Sequence, residues 1–396
     1  MRVHGEVAPG YEAVRRAFEE NFERRGEIGA ACAAFVRGEK VVDLWGGDRD
    51  PQQGLPWEED TLVVVFSTTK GMAATALAVA HARKLFDLDE RVSTYWPELA
   101  QNGKSEITVR QLLAHQAGLC CIDEPLDASV LADLDRLAAI LAKQKPAWAP
   151  GQEQAYHSIS LGFYENELMR RVDPKKRSIG RFFQDEIATP LGIDFHIGLP
   201  SSVPANRLAA IQGFRRIDLL FHLRSLPPRF ALAMMNPRSH SARSLGNPKL
   251  TGPEQIDTPE YRAVEMPASN GVGSARAIAR VYSAMAQGGA ELGIGEDTFR
   301  EITAPATPKR DRVLHLETAF GFGFLRPTSS SEFGSSRAFG TPGAGGSFGF
   351  ADPEIGLGFA YVMNRMGFHI VDDPRERALR DAVRACARQN ATTRPL

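Results

Sequence analysis

The sequence predicts an α+β fold: a central antiparallel sheet flanked by terminal helices, with a large, mainly helical domain inserted between its strands. Three observations carry this. β-rich runs occur near both ends of the chain, helical patterns fill the middle, and an amphipathic helical pattern stands outside the strands at each terminus. Strands joined by short turns rather than crossover helices pair antiparallel. At 396 residues the chain exceeds one typical domain of about 150 residues and can bury a sizeable core. The expected division is a sheet domain with terminal helices, 1–66 and 318–396, and a helical domain, 67–317, with a loop-rich insertion near 213–253.

Val14, Phe18 and Phe22 recur every four residues between charged neighbours, with Gly26 placed as a C-terminal cap, so the chain opens with an amphipathic helix. Ile28 to Arg37 and Lys40 to Trp45 read as a hairpin turning at Gly38-Glu39. The apolar run Leu62 to Phe66 ends at Ser67, and Gly71 to Leu85 is apolar almost all round, as a buried central helix would be. Thr108-Val109-Arg110-Gln111 forms a capping box, and helical patterns follow at Val130 to Lys143 and Ile159 to Arg171. Between Gly213 and Pro253, Pro227-Pro228 and Asn236-Pro237 mark a loop-rich insertion or lid whose Phe214, Leu219, Phe221 and Met234 offer apolar surface. Ser274 caps a helix ending at Gly288-Gly289. Phe320 to Leu325, Ser347 to Phe350 and Leu357 to Asn364 then read as strands, and Asp373 to Cys386 as a helix packing back on the sheet.

Hydrophobic residues at 43% and charged residues at 24% exclude disorder and collagen-like structure. Forty-seven basic against 48 acidic residues leave a net charge of −1, which supplies no field for nucleic acid or an anionic membrane. The expected partner is a small molecule. The longest apolar stretch, Gly71 to Ala82, is interrupted by His81 and falls short of the roughly 20 residues that span a bilayer. Met1 to Gly5 leads into the charged segment Glu12 to Glu27 without the apolar core of a secretory signal. Cys32, Cys120, Cys121 and Cys386 show no metal-ligand spacing and read as reduced thiols of a cytoplasmic protein, with no metal and no cofactor expected.

Three segments could carry chemistry. In Ser67-Thr68-Thr69-Lys70, three-residue spacing on a helix puts the serine oxygen and the lysine amine on one face, and a helix N-terminus favours an oxyanion there. The competing reading is a plain helix cap at Ser67. Tyr156-His157-Ser158 follows the rigid turn Trp148-Ala149-Pro150-Gly151 and could place a phenol to relay a proton; its bland reading is a core-edge tyrosine beside a satisfied histidine. Gly340-Thr341-Pro342-Gly343-Ala344-Gly345-Gly346 leaves backbone N–H groups free for a ligand, or is a tight turn between strands. Gly345-Gly346-Ser347-Phe348-Gly349 matches the nucleophile elbow of α/β-hydrolases, but Asp352-Pro353 leads into another strand where that motif needs a helix, so Ser347 is a decoy.

Taken in order and spacing, the three segments resemble the active-site elements of serine β-lactamase-like proteins, and most closely the class C β-lactamase-related esterases, the family VIII carboxylesterases. Leu112 to Leu119, Trp148 to Gly151, Pro190-Leu191-Gly192 and Ala351 to Glu354 look like framing signatures, so the resemblance covers nearly the whole chain. It implies a β-lactamase/transpeptidase-like fold and a serine esterase working through an acyl-enzyme. In that case Ser67 is the nucleophile, Lys70 the group that helps deprotonate it, and Tyr156 the relay to the leaving alcohol. The backbone N–H groups of Ser67 and Ala344 form the oxyanion hole, and Ser158, Thr341 and Gly343 meet the substrate. Whether Lys70 or Tyr156 is the formal base stays open at this point. Ser158 stands where β-lactamases carry asparagine, and Thr341-Pro342-Gly343 replaces a lysine- or histidine-bearing motif. Those departures favour neutral esters over lactams, although Arg337 could supply a cation. Acyl transfer, amide or lactam hydrolysis on the same fold, and a non-catalytic ligand-binding protein are the alternatives.

Overall fold

A computed structural model describes residues 2–214 and 225–393; within the insertion, Leu219 and Phe221 lie outside the described residues. The chain begins β1 (Val3–Val7), α1 (Glu12–Arg24), β2 (Gly29–Val36), β3 (Glu39–Asp50) and β4 (Leu55–Pro56). Its helical middle includes α2 (Thr69–Ala82), α3 (Ser160–Val172), α4 (Pro228–Met234), α5 (His240–Leu245) and α6 (Ala275–Ala286). It returns through β5 (Phe320–Gly321), β6 (Phe324–Leu325), β7 (Phe339–Pro342), β8 (Phe348–Asp352) and β9 (Leu357–Met363) to α7 (Pro374–Thr393).

Among the described residues the main sheet has nine strands in the order β1-β3-β2-β9-β8-β7-β6-β5, with β4 on β3, and every pairing is antiparallel. Its middle seam is the pairing of β2 with β9, from Leu357 opposite Val36 to Met363 opposite Ala30, which ties the two ends of the chain together. Side chains alternate across the pleat. Cys32, Ala34, Phe359 and Tyr361 face Val14 and Phe18 of α1 and Leu379 and Val383 of α7. Ala33, Ala360 and Val362 join the opposite core with Ile278, Tyr282 and Met285 of α6. Gly358 makes that second face possible: a Cβ there would lie 2.2 Å from the Ser283 nitrogen, so the helix backbone rests directly on the strand.

The amphipathic first helix, the Thr108 and Ser274 caps and the C-terminal helix form as their patterns predict. Other elements differ for identifiable reasons. Residues 3–7, read without structure, add an edge strand to β3. The hairpin turns at Arg37-Gly38, one residue early, because both have positive φ, 51° and 86°, as a two-residue primed turn needs. Val130 to Lys143 splits into Ala128–Ala132 and Leu134–Lys143, because Asp133 accepts a hydrogen bond from Arg136 N at 3.0 Å and starts a new helix. The insertion is more regular than its loop-rich composition suggests: Pro228 opens α4, and Ser239 accepts from Ala242 N at 3.1 Å to cap α5. Among the described residues no helix is long and apolar enough to cross a membrane.

Candidate active site

Ser67 sits in the 3₁₀ turn Phe66–Thr68 at the head of α2, after Phe66 takes a left-handed φ of 48°. Beyond it, α2 is buried on every side from Thr69 to Ala80. That burial encloses Lys70, 1% exposed, while Ser67 keeps partial access to solvent. The Lys70 amine lies 3.1 Å from Ser67 Oγ and donates to two backbone oxygens, Ser158 O at 2.6 Å and Ala268 O at 2.8 Å. Burial lowers its pKa to about 7, against a smaller opposing pull from the Glu165 charge. A lysine that is largely protonated in water can therefore be an amine at neutral pH, in contact with a hydroxyl.

Tyr156 faces the same point. Its ring centroid is 4.6 Å from Lys70 Nζ, stacked on Phe320 at 5.8 Å and tilted against His115 at 5.1 Å. Burial of the phenol pushes its pKa well up, and contact with Ser67 returns part of the shift, so at neutral pH it holds its proton. Of the two candidate bases, Lys70 is the one that titrates near neutrality. His157 is committed to the fold: Nδ1 bonds Ala155 O at 2.6 Å and Nε2 accepts from Leu119 N at 3.0 Å. Burial brings its pKa down to about 4, so the satisfied-histidine reading describes it. His115 accepts from His157 N through Nδ1 at 2.9 Å, which leaves its proton on Nε2.

Ser158 is 3% exposed, and its amine-facing group is the carbonyl rather than the hydroxyl. The hydroxyl meets Ser244 Oγ at 2.8 Å; Ser244 also accepts from Ser158 N and approaches Tyr156 O, both at 3.2 Å. Helix α5 of the insertion is thus pinned to the tyrosine loop. Neither Ser244 nor Ala268 carries a sequence signal, because each acts through where its segment lands.

The third segment lies across from Ser67 on β7 and the turn after it. Ala344 is exposed, and its N–H and that of Ser67 donate to no other group among the described residues. Ser347, 1% exposed, holds the two sides together by donating to Val65 O at 2.8 Å and meeting Thr68 Oγ1 at 3.1 Å. Strand β8 follows it, so the elbow geometry is absent. Thr341 is 3% exposed and turned inward, its hydroxyl 2.8 Å from the Tyr282 hydroxyl and 3.4 Å from Thr68 O. Gly343 is buried where a Cβ would come within 2.5 Å of Val65 O, so this strand approaches the Ser67 turn closely. Arg337 stacks on Phe299, 5.9 Å from its centroid.

A sheet seamed between the chain ends, an inserted helical region, and a Ser-x-x-Lys pair at the head of a buried helix define the β-lactamase/transpeptidase-like class. The Beta-lactamase family model matches residues 14–384, and the chain belongs to that family. It is 35% identical over 379 residues to the Esterase/beta-lactamase LipL of Mycobacterium tuberculosis (strain ATCC 25618 / H37Rv), covering 92% of this chain and 83% of the relative. Against Esterase EstB of Burkholderia gladioli it is 26% identical over 411 residues, 93% of each chain. A crystal structure of a family VIII carboxylesterase superposes with a TM-score of 0.87 at 37% identity, covering 98% of this chain and 100% of that one.

Proposed function

We propose that the protein is a carboxylesterase that cleaves small-molecule esters through an acyl group on Ser67. The observation that carries this is the 3.1 Å contact between Ser67 Oγ and a buried lysine whose pKa falls to about 7. In acylation, Ser67 Oγ attacks the ester carbonyl carbon as its proton passes to Lys70 Nζ. The carbonyl oxygen becomes an oxyanion received by the N–H groups of Ser67 and Ala344, each donor contributing about 2.7–4 kcal/mol. Collapse breaks the bond to the alkoxy oxygen, which takes the Tyr156 proton while Lys70 restores it. Water repeats the sequence to free the acid. Ser158, Thr341 and Gly343 are buried and support the site from behind: Ser158 through its carbonyl on the Lys70 amine, Thr341 through its hydroxyl on Tyr282, and Gly343 by letting its segment close on the Ser67 turn. Esterase names among the relatives support the ester reading.

The two regions 1–66 with 318–396 and 67–317 are taken as the working units, with the serine at their junction. The reading needs no cofactor, metal, nucleic acid or membrane, and places the enzyme in the cytoplasm. The test combines a fluorophosphonate probe with p-nitrophenyl esters of graded acyl length beside a chromogenic cephalosporin. Label on Ser67 and ester turnover above lactam turnover are expected; labelling of Ser347, or none, would refute the assignment.

A further inference from the structure

On α3, packed against α2, Glu165 is fully buried, and neither of its oxygens has a hydrogen-bond partner or an ion pair among the described residues. Buried carboxyls are ordinarily paired or hydrogen-bonded, so such a group calls for a reason. Its position supplies one. Ala74 follows Lys70 by one helical turn, on the same face of α2. The Cβ position of Gly323, in the β5–β6 turn, falls 2.9 Å from Ala74 Cβ and 3.6 Å from Glu165 Oε1. The carboxyl is therefore enclosed by α2, α3 and that turn, in the protein interior behind the lysine.

The titratable groups around it are few. From α2 come Lys70, whose charge acts on Glu165, and further along His81, which bonds Thr298 Oγ1 and lies against Phe322. The tyrosine loop brings Tyr156 and His157, and the segment after Leu113, whose carbonyl accepts from Gly323 N, brings His115. Burial holds His81, His115 and His157 toward their neutral forms and Tyr156 toward its protonated form. Lys70 is thus the member of this set that changes charge during acylation. Once it accepts the Ser67 proton it is an ammonium in a dry site, where Ser158 O and Ala268 O offer only dipoles.

We propose that Glu165 is a positioning residue for acylation: a buried carboxyl behind Lys70 that, when ionised, stabilises the ammonium formed when the lysine takes the Ser67 proton. This rests on the reading of Ser67 and Lys70 as nucleophile and base. No co-reactant is needed, since the proton moves from Ser67 Oγ to Lys70 Nζ as the Oγ–carbon bond forms, and Glu165 changes no bond. Burial raises the Glu165 pKa to about 8 while Lys70 lowers it, so the two titrate as a coupled pair and the carboxylate is the main form only above about pH 8.

The pH dependence of fluorophosphonate labelling tests this without knowledge of the natural substrate. In Glu165→Gln no carboxylate can form beside the lysine, so its ammonium is less favoured. The acidic limb of the labelling rate should move down by less than about one pH unit, because Glu165 is only partly ionised there, and the plateau should fall several-fold because the base is weaker. Glu165→Asp should restore the wild-type limb. Glu165→Leu, which buries no polar atom, should move it as Gln does and serves if the Gln variant fails to fold. A lower plateau with an unmoved limb, or a limb moved upward, in protein still labelled on Ser67 would overturn the proposal while leaving the nucleophile intact. Wild-type protein without label on Ser67 would overturn the underlying reading itself.

Discussion

Lys70 and Lys104 are both sealed from solvent, at 1% and 0% exposure, and both aim their amines at backbone carbonyls. Lys104 meets three of them: Gln101 O and Ala142 O at 2.9 Å and Gln144 O at 2.6 Å. Among the described residues every one of its acceptors is a carbonyl, and none of them can return or release a proton. Lys70 meets two carbonyls and the hydroxyl of Ser67, which can both accept and donate. Burial lowers both pKa values, to about 8 for Lys104 and about 7 for Lys70. The difference teaches that burial lowers a lysine's proton affinity wherever it occurs, whereas the identity of its third partner decides whether the amine touches a group that can exchange a proton.

The largest effect should come from Lys70→Met. Ester turnover and Ser67 labelling are expected to fall by at least about 10²–10⁴-fold, with a loss of stability below that of the Lys104 variant because two buried carbonyls rather than three lose their donor. Activity retained within tenfold would place the base elsewhere. Tyr156→Phe should cut acylation heavily, and combined with Lys70→Met it should add little, because both serve one proton transfer. Single-turnover rates that multiply in the double variant would mean independent roles.

Lys104→Met should reverse the pattern. It leaves three buried carbonyl oxygens without a donor, so a loss of roughly 3 kcal/mol in urea unfolding is expected, while the folded enzyme keeps its specific activity. Inactive but fully stable protein would erase the contrast between the two lysines.

Their titrations should separate as well. Labelling should rise with pH through about 7, because neutral Lys70 is the reactive form. Lys104 should show only in stability. Its folded pKa, about 8, lies below the unfolded value of about 10.4, so between them the unfolded chain holds more protons and the lysine's contribution to stability rises with pH. A labelling profile that follows the stability curve would mean that unfolding, not Lys70, sets the limb. The smallest expected effect belongs to Ser244→Ala, which frees the tyrosine loop from α5: about a few-fold lower turnover, rescued in part by Thr. Unchanged kinetics across ester lengths would show that the insertion is not coupled to the site through this residue.

Local chemistry is well represented in the sequence. The spacing of Ser67 and Lys70 becomes a contact because helix geometry brings residues three apart to one face. The Thr108 capping box, the apolar α2 and the strands at both ends are legible for the same reason: each depends on near neighbours. The order of the three motifs was enough to point to the family, since it survives without any knowledge of distance. His157 and Ser347, which look reactive on paper, could be judged only by their partners. Those partners are Leu119 and Ala155 in one case and Val65 and Thr68 in the other.

By itself, then, the sequence determined which residues could meet along a helix or a strand, and so the pairing of a serine with a lysine and the glycine-rich strand opposite. Tertiary structure alone decided their chemistry. The proton affinity of Lys70 depends on its burial and on a carboxyl from α3, and its amine is aimed by carbonyls of Ser158 and Ala268, all brought in from segments far along the chain. Desolvation and charge act through space, over the few ångströms around a group, and no local pattern records which distant residues will occupy that space.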